Sequence, residues 1–313
     1  MIFNLIKRKK HNQNKNKSLF SYKKNLPVLI SSQLQRSGGS LISQLFDNHP
    51  EILAHPWEIM VYKEGVDNIP NKILKTEKEF TRLMRDGYRK GKFAKKKHRF
   101  HFLTSEFTQI LSREQYDKHF FDNYFDNFFK YWTNFKNDNG EKKIITGFSP
   151  FFCKGNLIKQ LNFHKRLNII HIYRDPYSWW YSAKNFKDIY KDINSIKKYW
   201  ISSQLEVLAA KSKFRNRVLI IKFDDLINNR IKIMKYVCKK FFIKFDKKLM
   251  YPTFNGELIE NDSSFKKQKT DKYGIIKDVT RRYKNDLNKK QILNIKKNTF
   301  KICKKLEKNS IKL

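Results

Sequence analysis

The segment Leu26–Pro50, LPVLISSQLQRSGGSLISQLFDNHP, limits the fold more than any other part of the chain. Its apolar run Val28-Leu29-Ile30 reads as a strand. Gln, Arg, Ser and two Gly then make a turn, and Leu41, Ile42, Leu45 and Phe46 recur at helical spacing. Further apolar runs follow at Lys143–Gly147, Leu167–Tyr173 and Arg217–Phe223, and Ile52–Ala54 reads as a shorter strand. Helical stretches separate them, expected at Lys154–Leu161 and Ile193–Lys211. Continuous apolar strands flanked by helices indicate a sheet buried on both faces, so the expected class is α/β with a central parallel sheet.

In such a sheet, ligands bind where the carboxyl ends of strands meet helix N-termini. Gly38 and Gly39 let the backbone approach a ligand, Ser37 and Ser40 can donate hydroxyl hydrogen bonds, and Arg36 supplies a permanent planar charge. The amides of the next helix would face an anion. The turn alone does not separate an oxyanion cradle from a plain strand-to-helix connection. A nucleotide triphosphatase loop would place Lys directly before the final hydroxyl residue. Here Gly39 stands before Ser40, which argues against a kinase or ATPase.

A second basic group lies at the end of the 167–173 run, in RDPYSWWYS. Arg174 would sit at a strand's carboxyl end, Pro176 suits a first helical turn, and Ser182 follows about two turns later. By itself this could be an Arg paired with Asp175. Two anion grips at separate strand ends suit a ligand with two anionic ends.

Together these motifs resemble the sulfotransferases that use 3′-phosphoadenosine-5′-phosphosulfate (PAPS). The resemblance implies a P-loop-like sulfotransferase architecture of bacterial type. Arg36, Ser37, Gly38, Gly39 and Ser40 would hold the 5′-phosphosulfate, and Arg174 and Ser182 the 3′-phosphate. It extends over Asp47-Asn48-His49-Pro50-Glu51, Arg217–Leu226, Pro252–Gly256 and Ser263-Ser264-Phe265, and so runs from about Leu26 to Lys290. Arg282-Tyr283 resembles a basic-aromatic pair that touches the cofactor. Two departures stand out: Gly39 replaces a usual hydroxyl residue, and Phe148-Ser149-Pro150 stands where some members carry Lys-x-Pro. Lys143 and Lys154 are the candidates to replace that cation.

The resemblance implies in-line transfer of a sulfuryl group to an acceptor hydroxyl. Glu58 falls where some members carry a catalytic Glu and is the preferred general base, with His55 as the alternative. Arg36 and the loop amides would stabilise charge on the leaving phosphate. The chemistry requires no metal, and the histidines show no ligand spacing. The expected acceptor is a carbohydrate or glycan hydroxyl, selected by the region from Lys72 to Lys136, which is expected to be a mostly helical insertion. Within it Phe120, Phe121, Tyr124, Phe125, Phe128, Phe129 and Trp132 form a stripe of helical period that reads as core.

The net charge of +39, from 68 Lys and Arg against 29 Asp and Glu, raises a rival reading as a non-catalytic basic protein that binds glycan or nucleic acid. Lys is spread along the whole chain, however, and Asn, Ile, Phe and Tyr are abundant with it, as drift towards A/T-rich codons produces. No specific nucleic-acid partner is expected, and a membrane surface is retained as a partner. Residues 1–25 read as a basic solvated tail ahead of one domain over 26–313. Met1–Ile6 is too short for a signal peptide's apolar region, and the three scattered Cys suit a reducing compartment, so a cytoplasmic location is expected.

Overall fold

The computed structural model describes residues 20–59, 100–112, 118–150, 152–259 and 282–312. Five strands, β1 (Val28–Ser32), β2 (Ile52–Glu58), β3 (Ile144–Ser149), β4 (Leu167–Tyr173) and β5 (Val218–Lys222), form one sheet in the order β2-β3-β1-β4-β5. Every pairing in it is parallel. The chain leaves β1 for the edge at β2, returns through β3, and crosses β1 to reach β4. The carboxyl end of β1 is therefore the topological switch point, where a crevice opens.

Alternation along the strands divides the core between two faces. Val28 and Ile30 of β1, Ile145 of β3, Ile169 of β4 and Ile220 of β5 face one side. Leu29, Ile144, Ile170, Ile172 and Ile221 face the other. The second face is covered by α1 (Gly39–Phe46) through Ile42, Leu45 and Phe46, and by α7 (Phe223–Asn228) and α8 (Arg230–Lys240) through Leu226, Ile233 and Val237. The first is covered by α3 (Lys118–Tyr131), α4 (Leu157–Phe163), α6 (Ser202–Lys213) and α9 (Lys289–Asn309). Apolar burial on both faces of every strand is why their sequences read as unbroken runs.

Several boundaries differ from the sequence expectation. β2 continues through Pro56 to Glu58, with its pairing to β3 shifting register between Ala54 and Glu58. Pro cannot donate to a ladder, and an irregular edge strand tolerates it. A π-helical turn, Ile196–Ile201, precedes α6. Phe20–Asn25, counted with the tail in the sequence, instead packs on α3: the Tyr22 hydroxyl donates to the Phe125 carbonyl at 2.8 Å, and Phe20 and Tyr22 join the aromatic cluster. Two aromatic rings gain more from burial than a solvated segment would. Residues 1–19, 60–99 and 260–281 lie outside the described residues, and with them Ser263–Phe265 and part of the expected insertion. Within 100–136, α2 (Thr104–Ser112) and α3 are helical, and of the stripe, Phe121, Tyr124, Phe125, Phe128, Phe129 and Trp132 are buried, while the Phe120 side chain lies outside the described residues.

Candidate active site

The loop from Gln33 to Gly38 joins β1 to α1. Two of its residues have left-handed backbones, Arg36 at φ 71° and Gly38 at φ 96°. For Arg36 that conformation costs energy, of order 1–3 kcal/mol, and persists only if its surroundings hold it. The Arg174 guanidinium donates to the Arg36 carbonyl at 3.3 Å, and the Arg36 guanidinium lies 5.1 Å from the Phe186 ring centre. Gly38 is fixed twice over. Its φ favours Gly, and a Cβ there would fall 2.5 Å from the Phe223 ring. The first bond of α1 runs from the Ile42 amide to the Gly38 carbonyl at 3.2 Å, so the amides of Gly39, Ser40 and Leu41 come before that ladder and face the loop mouth. Ser37 is buried and Ser40 exposed.

Gly39 has its own local cause. A Cβ there would fall 1.9 Å from the Gln33 amide nitrogen. Gln33 is held by the Ser31 hydroxyl, which donates to its carboxamide oxygen at 2.5 Å. An amide donor thus occupies the place where a longer residue at 39 would project.

The second arginine arrives on the neighbouring strand. Arg174 follows β4 and is 8 % exposed, with its guanidinium 5.2 Å from the centre of the same Phe223 ring that abuts Gly38. Its carbonyl accepts from the Trp200 indole at 3.0 Å. The helix that follows, α5 (Pro176–Lys184), begins with Pro176 and is capped by Asp175, whose carboxylate accepts from the Ser178 amide at 2.9 Å. Asp175 therefore serves the helix start. On α5, Ser182 accepts from Arg36 Nε at 3.1 Å. The loop after β1 and the helix after β4 are thus joined through Arg36, Arg174 and Ser182.

Glu58 ends β2 opposite Phe148, at the same carboxyl end of the sheet as the loop. Burial holds its carboxyl above the ordinary range, against the lowering charges of Lys187 and Lys154. His55, in contrast, points into the aromatic core. It is 1 % exposed, lies 2.8 Å from the Tyr124 hydroxyl and is 4.4 Å from Phe128, centre to centre. That position suits packing rather than contact with an acceptor. Arg282 opens the short 3₁₀ turn Arg282–Asn285, and its side chain lies outside the described residues. Tyr283 beside it stacks on Tyr177 of α5 at 5.2 Å.

The two candidate replacements for a cation at 148 separate clearly. Lys143 donates to Glu51 at 2.6 Å before the start of β3, at the far end of the sheet. Lys154 lies beyond the carboxyl end of β3, and burial lowers its pKa first of all, while Glu58 acts to raise it. Other matched motifs are structural. Asp47 accepts from the amides of Asn255 and Gly256 at 3.0 and 2.8 Å, joining the DNHPE and PTFNG segments beneath α1. Arg217 donates to the carbonyls of Leu161, His164 and Leu167, which ties β5 to β4.

Four contributors were not picked out from sequence: Gln33, Phe223, Lys187 and His171. His171 is fully buried in β4, with one ring nitrogen 2.5 Å from the Ser32 carbonyl and the other 2.8 Å from the Gln204 carboxamide. It anchors the last residue of β1 just before the loop. A His inside an apolar run was its only sequence signal. Among the described residues, no group of three or more His, Cys, Asp or Glu could hold a metal ion.

Residues 27–247 match the model of the sulfotransferase family. The chain belongs to that family. No curated protein matches it. Among solved structures, the sulfotransferase domain of the Synechococcus PCC 7002 olefin synthase is similar at 14 % identity and a TM-score of 0.50, covering 91 % of this chain and 98 % of that one. The fold is thus the P-loop-like sulfotransferase fold. The sulfotransferase of Alicyclobacillus acidocaldarius aligns at 12 % identity over 73 % of this chain and 89 % of that one, with a TM-score of 0.37. A sulfotransferase domain from the curacin biosynthetic pathway aligns at 15 % identity over 74 % and 78 %, at 0.42. Membership makes the chain an enzyme that transfers a sulfuryl group. Among the described residues, no helix of this sulfotransferase is long and apolar enough to cross a membrane.

Proposed function

We propose that this sulfotransferase takes its sulfuryl group from PAPS and passes it to an acceptor hydroxyl of a carbohydrate or glycan, in the cytoplasm. One observation carries the donor assignment: Arg36 and Arg174 stand side by side at the carboxyl ends of neighbouring strands, with Arg36 bonded to Ser182. The early amides of α1, with Ser37, Ser40 and Arg36, would take the 5′-phosphosulfate, and Arg174 with Ser182 the 3′-phosphate. Arg282, next in sequence to Tyr283 of the Tyr177–Tyr283 stack, is assigned to the nucleotide as well.

In the transfer, Glu58 takes the acceptor proton as the acceptor oxygen bonds to sulfur. The bond from sulfur to the bridging oxygen breaks, and its electron pair leaves on the 5′-phosphate of adenosine 3′,5′-bisphosphate. Arg36 and the α1 amides meet that growing charge, and donors of this kind are commonly worth about 10²- to 10³-fold in rate. Two grips on one nucleotide fix the sulfur in line with the acceptor.

Incubating the purified chain with ³⁵S-labelled PAPS and a panel of glycans and small alcohols tests the reading. Labelled product is expected from a carbohydrate, and Glu58→Ala should abolish it with adenosine 3′,5′-bisphosphate binding nearly intact. Label appearing only in non-carbohydrate alcohols would overturn the acceptor assignment. Unchanged turnover in Glu58→Ala would remove that residue as base.

A further inference from the structure

We propose that Lys187 is the cation that contacts the donor's sulfuryl group, supplied from beyond α5 rather than from the strand end at Phe148. The proposal rests on the PAPS reading above. Lys187 Nζ donates to the Gln35 carboxamide oxygen at 3.2 Å, and Gln35 immediately precedes Arg36 in the loop. Gln35 is itself fixed, since the Tyr190 hydroxyl donates to the same oxygen at 3.3 Å and the Trp179 indole to its carbonyl at 3.1 Å. One ring ties the two cations together: Phe186 lies 5.1 Å from the Arg36 guanidinium and 5.2 Å from Lys187 Nζ.

The charge of Lys187 also acts on the base. Lys187 is the first of the two cations whose charge opposes the burial of Glu58. Lys187 is therefore tied to the residue before the arginine assigned to the 5′ end of the donor, and its charge reaches the carboxylate assigned to the acceptor proton. The sulfuryl group must pass between that arginine and that carboxylate. Lys154 also acts on Glu58; what marks Lys187 is that its ammonium rests on the loop after β1, at Gln35. Its long, flexible stem can carry the ammonium from Gln35 to the sulfuryl oxygens or the bridging oxygen without moving the backbone. There it would stabilise charge as the sulfur–oxygen bond breaks, and the acceptor proton would still go to Glu58.

Lys187→Met, Lys187→Arg and, as a control at the other end of the sheet, Lys143→Met separate this role from simple bracing of the loop. Calorimetry would measure PAPS and adenosine 3′,5′-bisphosphate against each full-length variant, and single-turnover release of adenosine 3′,5′-bisphosphate from PAPS, with the carbohydrate labelled in the screen above taking up the sulfuryl group, would follow the chemistry. Lys187→Met is expected to lose about tenfold or more in PAPS affinity. It should bind adenosine 3′,5′-bisphosphate, which lacks the sulfuryl group, as the parent does, and release product about 10²- to 10³-fold more slowly. Lys187→Arg should recover most of both losses and Lys143→Met should show neither. Equal weakening of both nucleotides would make Lys187 a brace and overturn the proposal, as would a Lys187→Met variant indistinguishable from the parent. A parent chain that binds neither nucleotide would overturn the donor reading itself.

Discussion

Single residues set the character of the loop mouth. Gly38 could be read in the sequence as a position needing freedom, but the reason is particular to this fold, because Phe223 from the end of β5 fills the space a side chain would need. Gly39 read as a lost hydroxyl donor, and the structure shows what accompanies the loss: Gln33 extends its amide into that space. Glu58 owes its raised pKa first to burial, which penalises the carboxylate, with Lys187 and Lys154 opposing it. A general base works only when deprotonated. Sulfuryl transfer should therefore fall as pH drops through a pKa above that of an ordinary glutamate, and level off at higher pH. A profile of kcat/KM between about pH 5 and 8 checks this. The descending acid limb should vanish with Glu58→Ala together with the transfer itself, and a transfer with an acid limb retained in that variant would assign the limb to another group.

Elements were legible where one force dominated. β4 matched its expected span, Leu167–Tyr173, because unbroken apolar burial leaves a helix no advantage there. The start of α5 was equally plain, since Asp175 caps it and Pro176 opens it. β2 was read too short, because Pro56 interrupts the pattern that signals a strand, and only the shifted pairing with β3 shows that the strand continues to Glu58. Phe20 and Tyr22 hide in a Lys-rich context, and their partner α3 lies about a hundred residues away in sequence. Lys187 was illegible for the same reason, as nothing local in Asn185–Asp188 marks contact with Gln35. Buried histidines leave a measurable trace on these elements. His171 of β4 and His164 beyond α4 both have pKa values lowered to about 4, by burial above all. A depressed folded-state pKa contributes stability that is present above the ordinary histidine value of 6.5 and is lost as pH falls towards about 4. The thermal midpoint should decline through that window, and a variant carrying both His171→Gln and His164→Gln should decline less steeply. Parallel slopes for the two proteins would refute the assignment.

At the scale of the whole molecule, charge and function separate. The net charge of +39 makes a general attraction for polyanions unavoidable at low salt, but the described arginines with structural or site roles are few and specific. Arg166, for instance, is engaged by Asp122 and Asp126. Affinity for duplex DNA or a sulfated polysaccharide should drop steeply with salt, because many counterions are released at once. Affinity for adenosine 3′,5′-bisphosphate should drop far less, since only a few charges meet it. Fluorescence titrations of both ligands across a salt series test this, and parallel slopes would favour a purely electrostatic binding protein. The alternating strand order brings two such grips together: β1 and β4 are neighbours in the sheet though their following loops are some 140 residues apart in the chain, as the 138-residue separation of Arg36 and Arg174 shows. The central claim is that these two arginines hold opposite ends of one nucleotide. Calorimetry of adenosine 3′,5′-bisphosphate and adenosine 5′-phosphate against the parent and Arg174→Ala measures it most directly. The parent should prefer the doubly phosphorylated nucleotide by tenfold or more, about 1.4 kcal/mol, and Arg174→Ala should erase that preference, weakening the bisphosphate far more than adenosine 5′-phosphate, which loses only what the Arg174 bond to the Arg36 carbonyl contributes to the loop; a preference that survives the substitution would contradict the account.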